Sequence, residues 1–326
     1  DLCIIYYILA TMISELTSII INTNYNKLPE NVINKAKLCF IDFLAVSLRG
    51  SQTKSGNIVK NLFNKGGSST VLGFGKVNCR DASFMNGIFA HSLDLDDGHR
   101  FAQLHPGCSV IPAALALSET YNKTGEEFIS SIVVGYQVSI ILGMIINPQH
   151  RNNGFHSTGT CGTFGAAAAS SKIIGLGSKD TINAIGLAGT QAAGLLESDH
   201  TGSMGKHLHA GKAAQAGVIS ALLAENKFNG ANSIIEGREG FLKAMVSENH
   251  YRNYKNKINK ILENKKYHIT DVYFKKYPIC RHLHSSIDAI INIYNYVVLD
   301  GTKTEDIHLI NIKTYEIAAE HDDYNP

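Results

Sequence analysis

The sequence predicts a mainly α-helical protein: a large all-helical domain over residues 1–265, then a smaller mixed α/β domain over 266–326. Three observations carry this. Helix-period apolar runs with recognisable start signals fill the first four fifths of the chain. Small residues recur within them, as in Gly165-Ala-Ala-Ala-Ala-Ser170 and Gly186 to Gly194, where helices can approach closely. The pattern then changes near Lys257 to Lys266, a polar stretch rich in lysine and asparagine.

The elements follow in order. Leu2 to Ile21 is apolar, but it lacks a basic flank and carries Glu15, so it reads as an amphipathic first helix rather than a signal peptide or a membrane span. Pro29 opens a second helix, with Glu30 in its first turn, Val32, Ile33, Ala36, Phe40, Phe43 and Leu44 on one side, and Gly50 at its end. Thr124-Gly-Glu-Glu127 has the form of a capping box ahead of Phe128 to Ile146. Ser178 is expected to cap the next start, with a small-residue helix over Ala184 to Leu196, and His209 to Glu225 reads as another. The five lysines of residues 253–266 read as a solvated linker. Beyond it, Val272 to Tyr277 is strand-like, Ser285 to Val298 helical, and His308 to Tyr315 alternates with period two. The chain stops soon after that second expected strand, which gives the expectation of a fragment with an incomplete second domain.

Composition bounds the function. Hydrophobic residues make up 44% and charged residues 18%, below the usual ~25%, so part of the surface is expected to be covered by a partner subunit. A net charge of +2 with no basic stripe gives no reason to expect nucleic acid. Six dispersed cysteines without a CxxC pair argue against a zinc ribbon, an iron–sulfur cluster or a disulfide framework, and suit a reducing, cytoplasmic compartment. No membrane partner is expected.

Chemistry concentrates in a few places. His91-Ser-Leu-Asp94-Leu-Asp96-Asp97-Gly-His99-Arg100, followed by His105-Pro106, puts three carboxylates, three imidazoles and a guanidinium within 15 positions. Flanked by apolar sequence, such groups form either a paired buried network or an active site. The spacing matches neither HExxH, an EF-hand loop nor a carboxylate-bridged bundle, so no metal is assigned. Gly154-Phe155-His156-Ser157-Thr158-Gly159, running on to Gly165, is a glycine- and hydroxyl-rich entry to a helix, where free N–H groups suit a carboxylate or phosphate. It is neither a P-loop nor GxGxxG. Lys206-His207-Leu-His209 precedes another expected helix, and a lysine there calls for an anion to offset the dipole. His282 and His284 form a fourth group, with Cys280 beside them but no nucleophile motif. Together these suggest a pocket that binds and protonates an anionic small molecule.

Taken in order, these segments resemble the MmgE/PrpD family. The matching pieces are Phe40 to Ser51, Asn86-Gly87, His91 to Asp97, His105-Pro106, Gly154 to Gly159, Lys206 to Gly211 with Ala213-Ala214, Glu236 to Phe241, and Lys275 to Pro278 with His284. The resemblance implies a large helical domain with an α/β lid, a homodimer, and a lyase that uses no metal or organic cofactor on a small polycarboxylate. Dehydration of a 2-methylcitrate-like substrate is the first expectation. Decarboxylation of cis-aconitate and epimerisation of an imino diacid are the alternatives within the family, and a non-catalytic helical binding or dimerisation protein is the alternative from another class. By match to the family's motifs, Asp94, His105, His156, Lys206 and His284 fall on active-site positions. Proton transfer is expected of His105 and His156, carboxylate binding of Lys206 and His284, and orientation of a histidine of Asp94. His99, Arg100, Ser157, Thr158 and His209 are expected to contact substrate. Where the family's decarboxylases carry threonine after the acidic triplet, this chain has Gly98, and His99 and Arg100 are expected to compensate.

Overall fold

Helix α8 (Ser157–Ile174) lies at the centre of the N-terminal packing, and nearly every one of its side chains is buried. The computed structural model describes residues 2–246, 254–264 and 266–319. By its contacts the chain divides into two units, 1–274 and 275–326.

In the first unit, the leading helices are α1 (Leu2–Asn22), α2 (Glu30–Gly50) and α3 (Lys54–Lys60). A two-stranded antiparallel hairpin follows, β1 (Ser69–Val71) and β2 (Gly75–Val77). Helices α4 (Cys79–His91), α5 (Gly107–Thr120) and α6 (Gly125–Ile146) come next. A short α7 (Gln149–Asn152) leads into α8, and α9 (Ser178–Gly189), α10 (Glu197–His200), α11 (Gly205–Glu225) and α12 (Phe241–Met245) complete the series. Around α8 pack α5, α6, α9 and α11, and α11 also lies along α4.

Small residues make this density possible. At the α6–α8 crossing, a Cβ added at Gly135 would lie 2.8 Å from the Gly165 carbonyl, and one at Gly165 would lie 2.7 Å from the Gly135 carbonyl. Helix α6 is the one helix among the described residues long and apolar enough to cross a membrane, and it is buried in this core. Its start is the expected capping box: Thr124 Oγ1 accepts from the Glu127 N–H at 3.2 Å, and Glu127 Oε2 accepts from the Thr124 N–H at 2.9 Å.

Several expectations change. Gly177, not Ser178, is the N-cap of α9, which ends at Gly189 rather than Leu196. The chain leaves the helix there because residues 194–196 pair with 154–156: His156 N–H donates to the Gly194 carbonyl at 3.0 Å and Leu196 N–H to the Gly154 carbonyl at 2.8 Å. The lysine-rich stretch holds a helix, Tyr254–Glu263, rather than a linker, and Ile261 and Leu262 pack on the core. Residues 266–272 also join the first unit's packing, since Gln137 Nε2 donates to the Lys266 carbonyl at 2.7 Å and Ile269 and Val272 are buried.

The expected strand at Val272 to Tyr277 is reduced to one bridge, Tyr273 with Gly98. In the second unit the described elements are helical: His284–Leu299 and Glu316–Ala319, with two 3-10 turns. His308 to Tyr315 forms no strand, and Leu309, Ile310 and Ile312 are exposed. Period-two alternation fits a strand only when a neighbouring strand takes up its backbone groups. The final residues, on which the expectation of an incomplete domain rested, lie outside the described ones.

Candidate active site

Four stretches of chain meet at the N-terminal end of α8. Helix α4 ends at His91, and the segment behind it is not helical: Asp94 takes a left-handed conformation, φ 48°. Asp94 and Asp97 therefore do not share a helix face, and their carboxylates have different partners. Asp97 is buried, and its carboxylate accepts from Tyr136 Oη at 2.6 Å and from the Gly107 N–H at 3.0 Å. Asp96 is also buried, and its Oδ2 accepts from His91 Nδ1 at 2.9 Å.

His105 closes this segment. Its Nδ1 donates to the Asp97 carbonyl at 2.7 Å, and its backbone N–H donates to Thr158 Oγ1 at 3.1 Å. With the ring proton on Nδ1, the Nε2 lone pair faces Asp94, whose Oδ1 is 4.0 Å away. The His91 ring lies between two others, 5.1 Å from His105 and stacked 5.6 Å from His156.

His156 sits directly before α8, held by the pairing of 154–156 with 194–196. Its Nδ1 lies 3.0 Å from His209 Nδ1, so one of the two rings carries the shared proton. Burial pushes His156 well below the usual imidazole range, and the nearby His91, Lys206, His209 and His105 add to this. His209 is lowered as well, chiefly by burial.

Lys206 lies in the first turn of α11, which begins at Gly205, earlier than expected. Two carboxylates offset its position at the positive helix end: Asp199 Oδ1 at 2.8 Å and Asp94 Oδ1 at 3.4 Å. Burial alone would lower the ammonium, but Asp94 and Asp199 outweigh it and hold Lys206 above its ordinary value. His207 turns elsewhere, its Nδ1 3.1 Å from Ser55 Oγ, and burial lowers it to about 4.

The fold thus brings together Asp94, His105, His156, Lys206 and His209. To these it adds His91, Asp96 and Asp199, which were not assigned roles from sequence. Asp199 had no signal of its own, being one acid in a short polar run. Ser157 and Thr158 stand beside the cluster with their hydroxyls engaged: Ser157 Oγ with Asn147 Nδ2 at 3.0 Å, and Thr158 Oγ1 with the His105 N–H. Gly159 to Gly165 lies within α8, so donors for an anion come from the first turn only.

His99 is buried in a different setting. Its Nδ1 accepts from the Ala102 N–H at 3.1 Å, its ring lies 6.3 Å from that of His268, and burial lowers it to about 4. Arg100 is exposed, its guanidinium 5.7 Å from the centre of the Phe101 ring. The side-chain space of Gly98 is filled by a residue the sequence did not single out: a Cβ there would lie 2.5 Å from Tyr273 Oη. His284 belongs to the second unit, where its ring meets Tyr277 edge-on at 5.2 Å and its Nε2 lies 3.3 Å from the Ile279 carbonyl.

Among the described residues, two groups have the spacing of metal ligands. His91, Asp94, Asp96 and His105 offer atoms within 4.8 Å of one another, as do His99, His268 and Asp271. In the first, the Lys206 ammonium already lies against Asp94, so a divalent ion would meet a like charge. In the second, His99 Nδ1 is an acceptor, which leaves the neutral ring's proton on Nε2 and no lone pair there for an ion. The donor chemistry of the first group is that of proton transfer: a carboxylate-paired imidazole, a second imidazole fixed by a carbonyl, and an ammonium alongside.

The chain matches the MmgE/PrpD N-terminal domain over residues 14–253. It is similar to the cis-aconitate decarboxylase-like protein oryM of Aspergillus oryzae, 28% identical over 96% of this chain and 68% of that protein. It is similar also to the cis-aconitate decarboxylase of Aspergillus terreus, 28% identical over 83% of this chain and 58% of the relative. The human cis-aconitate decarboxylase is 27% identical over 84% of this chain and 57% of its own length. The chain therefore spans little more than half the length of the two decarboxylases. With a match covering most of its first unit, and the cluster assembled from the segments that carry the resemblance, the chain belongs to the MmgE/PrpD family.

Proposed function

We propose that this chain belongs to a lyase that decarboxylates cis-aconitate or a close polycarboxylate, using histidine acid–base chemistry without a metal. The observation that carries this reading is the convergence of Asp94, His105, His156, Lys206 and His209 from separate segments. The names of the relatives favour decarboxylation over the dehydration of a 2-methylcitrate-like substrate expected first from sequence.

The chemistry has simple needs. Breaking the bond to a carboxylate releases carbon dioxide and leaves an electron pair, which the adjoining unsaturated acid spreads until a proton arrives. A cation must hold the anionic substrate, and a group with an available proton must reach the carbon. In this reading a substrate carboxylate takes the place of Asp94 or Asp199 beside the Lys206 ammonium. His105 or His156 delivers the proton.

A proton NMR time course in heavy water, with chelator present, tests the proposal against cis-aconitate, 2-methylcitrate, citrate and iminodisuccinate. Loss of cis-aconitate with deuterium appearing in the product supports it. Turnover of 2-methylcitrate alone replaces it with a dehydratase. No change with any of the four, from a folded sample, leaves a non-catalytic family member.

A further inference from the structure

Asp97 is a buried acid beside the cluster, and it makes no contact with Lys206 among those described. Its carboxylate is gripped from two helices: Tyr136 Oη, in the middle of α6, donates to Oδ2 at 2.6 Å, and the N–H of Gly107, first residue of α5, donates to Oδ1 at 3.0 Å. Gly107 is required for this. A Cβ there would lie 2.8 Å from both Asp97 Oδ1 and Tyr136 Oη. The backbone is tied too, since Asp97 N–H donates to Asp42 Oδ2 at 3.2 Å. On the other side of the Asp97 carbonyl, the Gly98 N–H donates to the Tyr273 carbonyl at 3.0 Å, so the peptide is held from both sides.

That carbonyl is the acceptor for His105 Nδ1 at 2.7 Å. A competitor stands nearby. Asp96 Oδ1 is 3.7 Å from the same nitrogen, while the other oxygen of Asp96 serves His91. The two acceptors have opposite consequences. A neutral carbonyl keeps a His105 proton on Nδ1 and leaves Nε2 able to take up and release a second one. A carboxylate would favour the doubly protonated ring, in which Nε2 has no lone pair. Buried charged hydrogen bonds of this kind rigidify what they hold.

We propose that the Tyr136–Asp97 pair is a positioning device for His105: it holds the Asp97 carbonyl where it engages the Nδ1 proton, so that Nε2 is the nitrogen that takes up a proton from water and delivers it in the site. This rests on the proton-transfer role given to His105 above. The competing explanation is that the pair only ties α5 to α6.

Histidine-selective nitrogen NMR on the whole chain separates the two. The His105 signals, assigned by their loss in His105→Gln, should show the Nδ1-protonated form. In Tyr136→Phe, which keeps the ring and removes the donor, that pattern should shift toward the doubly protonated or mixed form. With a turned-over substrate in hand, the pH profile of kcat should move to higher pH while KM stays within about twofold, because a ring paired with Asp96 holds its deliverable proton to higher pH. An unchanged His105 pattern in a folded Tyr136→Phe overturns the proposal, whatever happens to the melting temperature. If that variant does not fold, Asp97→Asn decides by the same signals, altered in support and unaltered against. The nitrogen pattern is read without turnover, so failure of the decarboxylase reading is seen separately.

Discussion

Gly87 and Gly211 meet at the crossing of α4 and α11, where a Cβ at Gly87 would lie 2.8 Å from the Gly211 Cα. A Cβ at Gly211 would lie 2.6 Å from the Phe84 carbonyl. The crossing stands one turn from His91 along α4 and little more than one turn from Lys206 along α11. It therefore sets how closely the acidic segment and the ammonium approach. Gly211→Ala must push the helices apart, at a cost of about 1–3 kcal/mol in stability. Thermal melting should show the loss, and turnover should fall more than the melting temperature alone explains. A variant with wild-type melting and activity would mean that the crossing has slack.

Lys206 is the one cation bridging Asp94 and Asp199 among the described contacts. Lys206→Met should abolish measurable turnover, a fall of at least about a hundredfold, because substrate binding and charge stabilisation are lost together. Folding should persist, since both carboxylates keep some access to water and can rehydrate. Circular dichroism and a kinetic assay on the same sample check this. Retained kcat would remove Lys206 from the site.

Much of this was legible from local sequence. The capping box at Thr124 and the helix from Glu30 to Gly50 depend on a few neighbouring residues, and both stand where the sequence puts them. Asp94, His105, His156 and Lys206 could be nominated because titratable groups in apolar surroundings carry a cost that function or pairing must offset. Partners far along the chain were not legible. Asp199 reaches Lys206 only because α10 is set beside α11, and Tyr273 fills the place of a side chain at Gly98 only because residues 266–273 fold back on the core. His99 and His105, six positions apart, look equivalent in sequence. They differ in what Nδ1 does, accepting from the Ala102 N–H in His99 and donating to the Asp97 carbonyl in His105, and the closure of the segment between them decides that.

Arg100 and Ser157 test how far the expected substrate contacts hold. Arg100 is exposed over Phe101, and the Ser157 hydroxyl is bonded to Asn147. Neither side chain is aimed at the Lys206 cluster through any described contact. Arg100→Ala should leave KM within about twofold, as expected for an exposed surface change. Ser157→Ala should lower stability by about 1 kcal/mol, the worth of one buried hydrogen bond, with a smaller effect on kcat. Steady-state kinetics on both variants check this. A tenfold rise in KM for Arg100→Ala would show that it reaches substrate after all.

Acidification should destabilise the fold before it titrates ordinary carboxylates. Burial, the largest cause in each case, lowers His99, His150 and His207 to about 4, and depresses His156, His209 and His268. In the unfolded chain these rings take up protons near pH 6.5, whereas the folded chain refuses them until lower pH. The unfolded state then binds more protons, so stability rises with pH in this window and is lost as pH falls below about 6.5. Asp97 and Glu236 act in the opposite sense. Burial raises both to about 7, so the folded chain holds their protons between about pH 4 and 7 and gains stability there on acidification. Six histidines oppose two carboxyls, and the net slope stays positive. Between pH 7.5 and 5.5 the melting temperature should drop by roughly 5–10 °C, corresponding to a few kcal/mol. An equal or higher melting temperature at pH 5.5 would mean that these rings are not held neutral by the fold. His150→Phe keeps a flat ring stacked near Phe155 and removes one titrating group, so its melting temperature should fall less over the same interval.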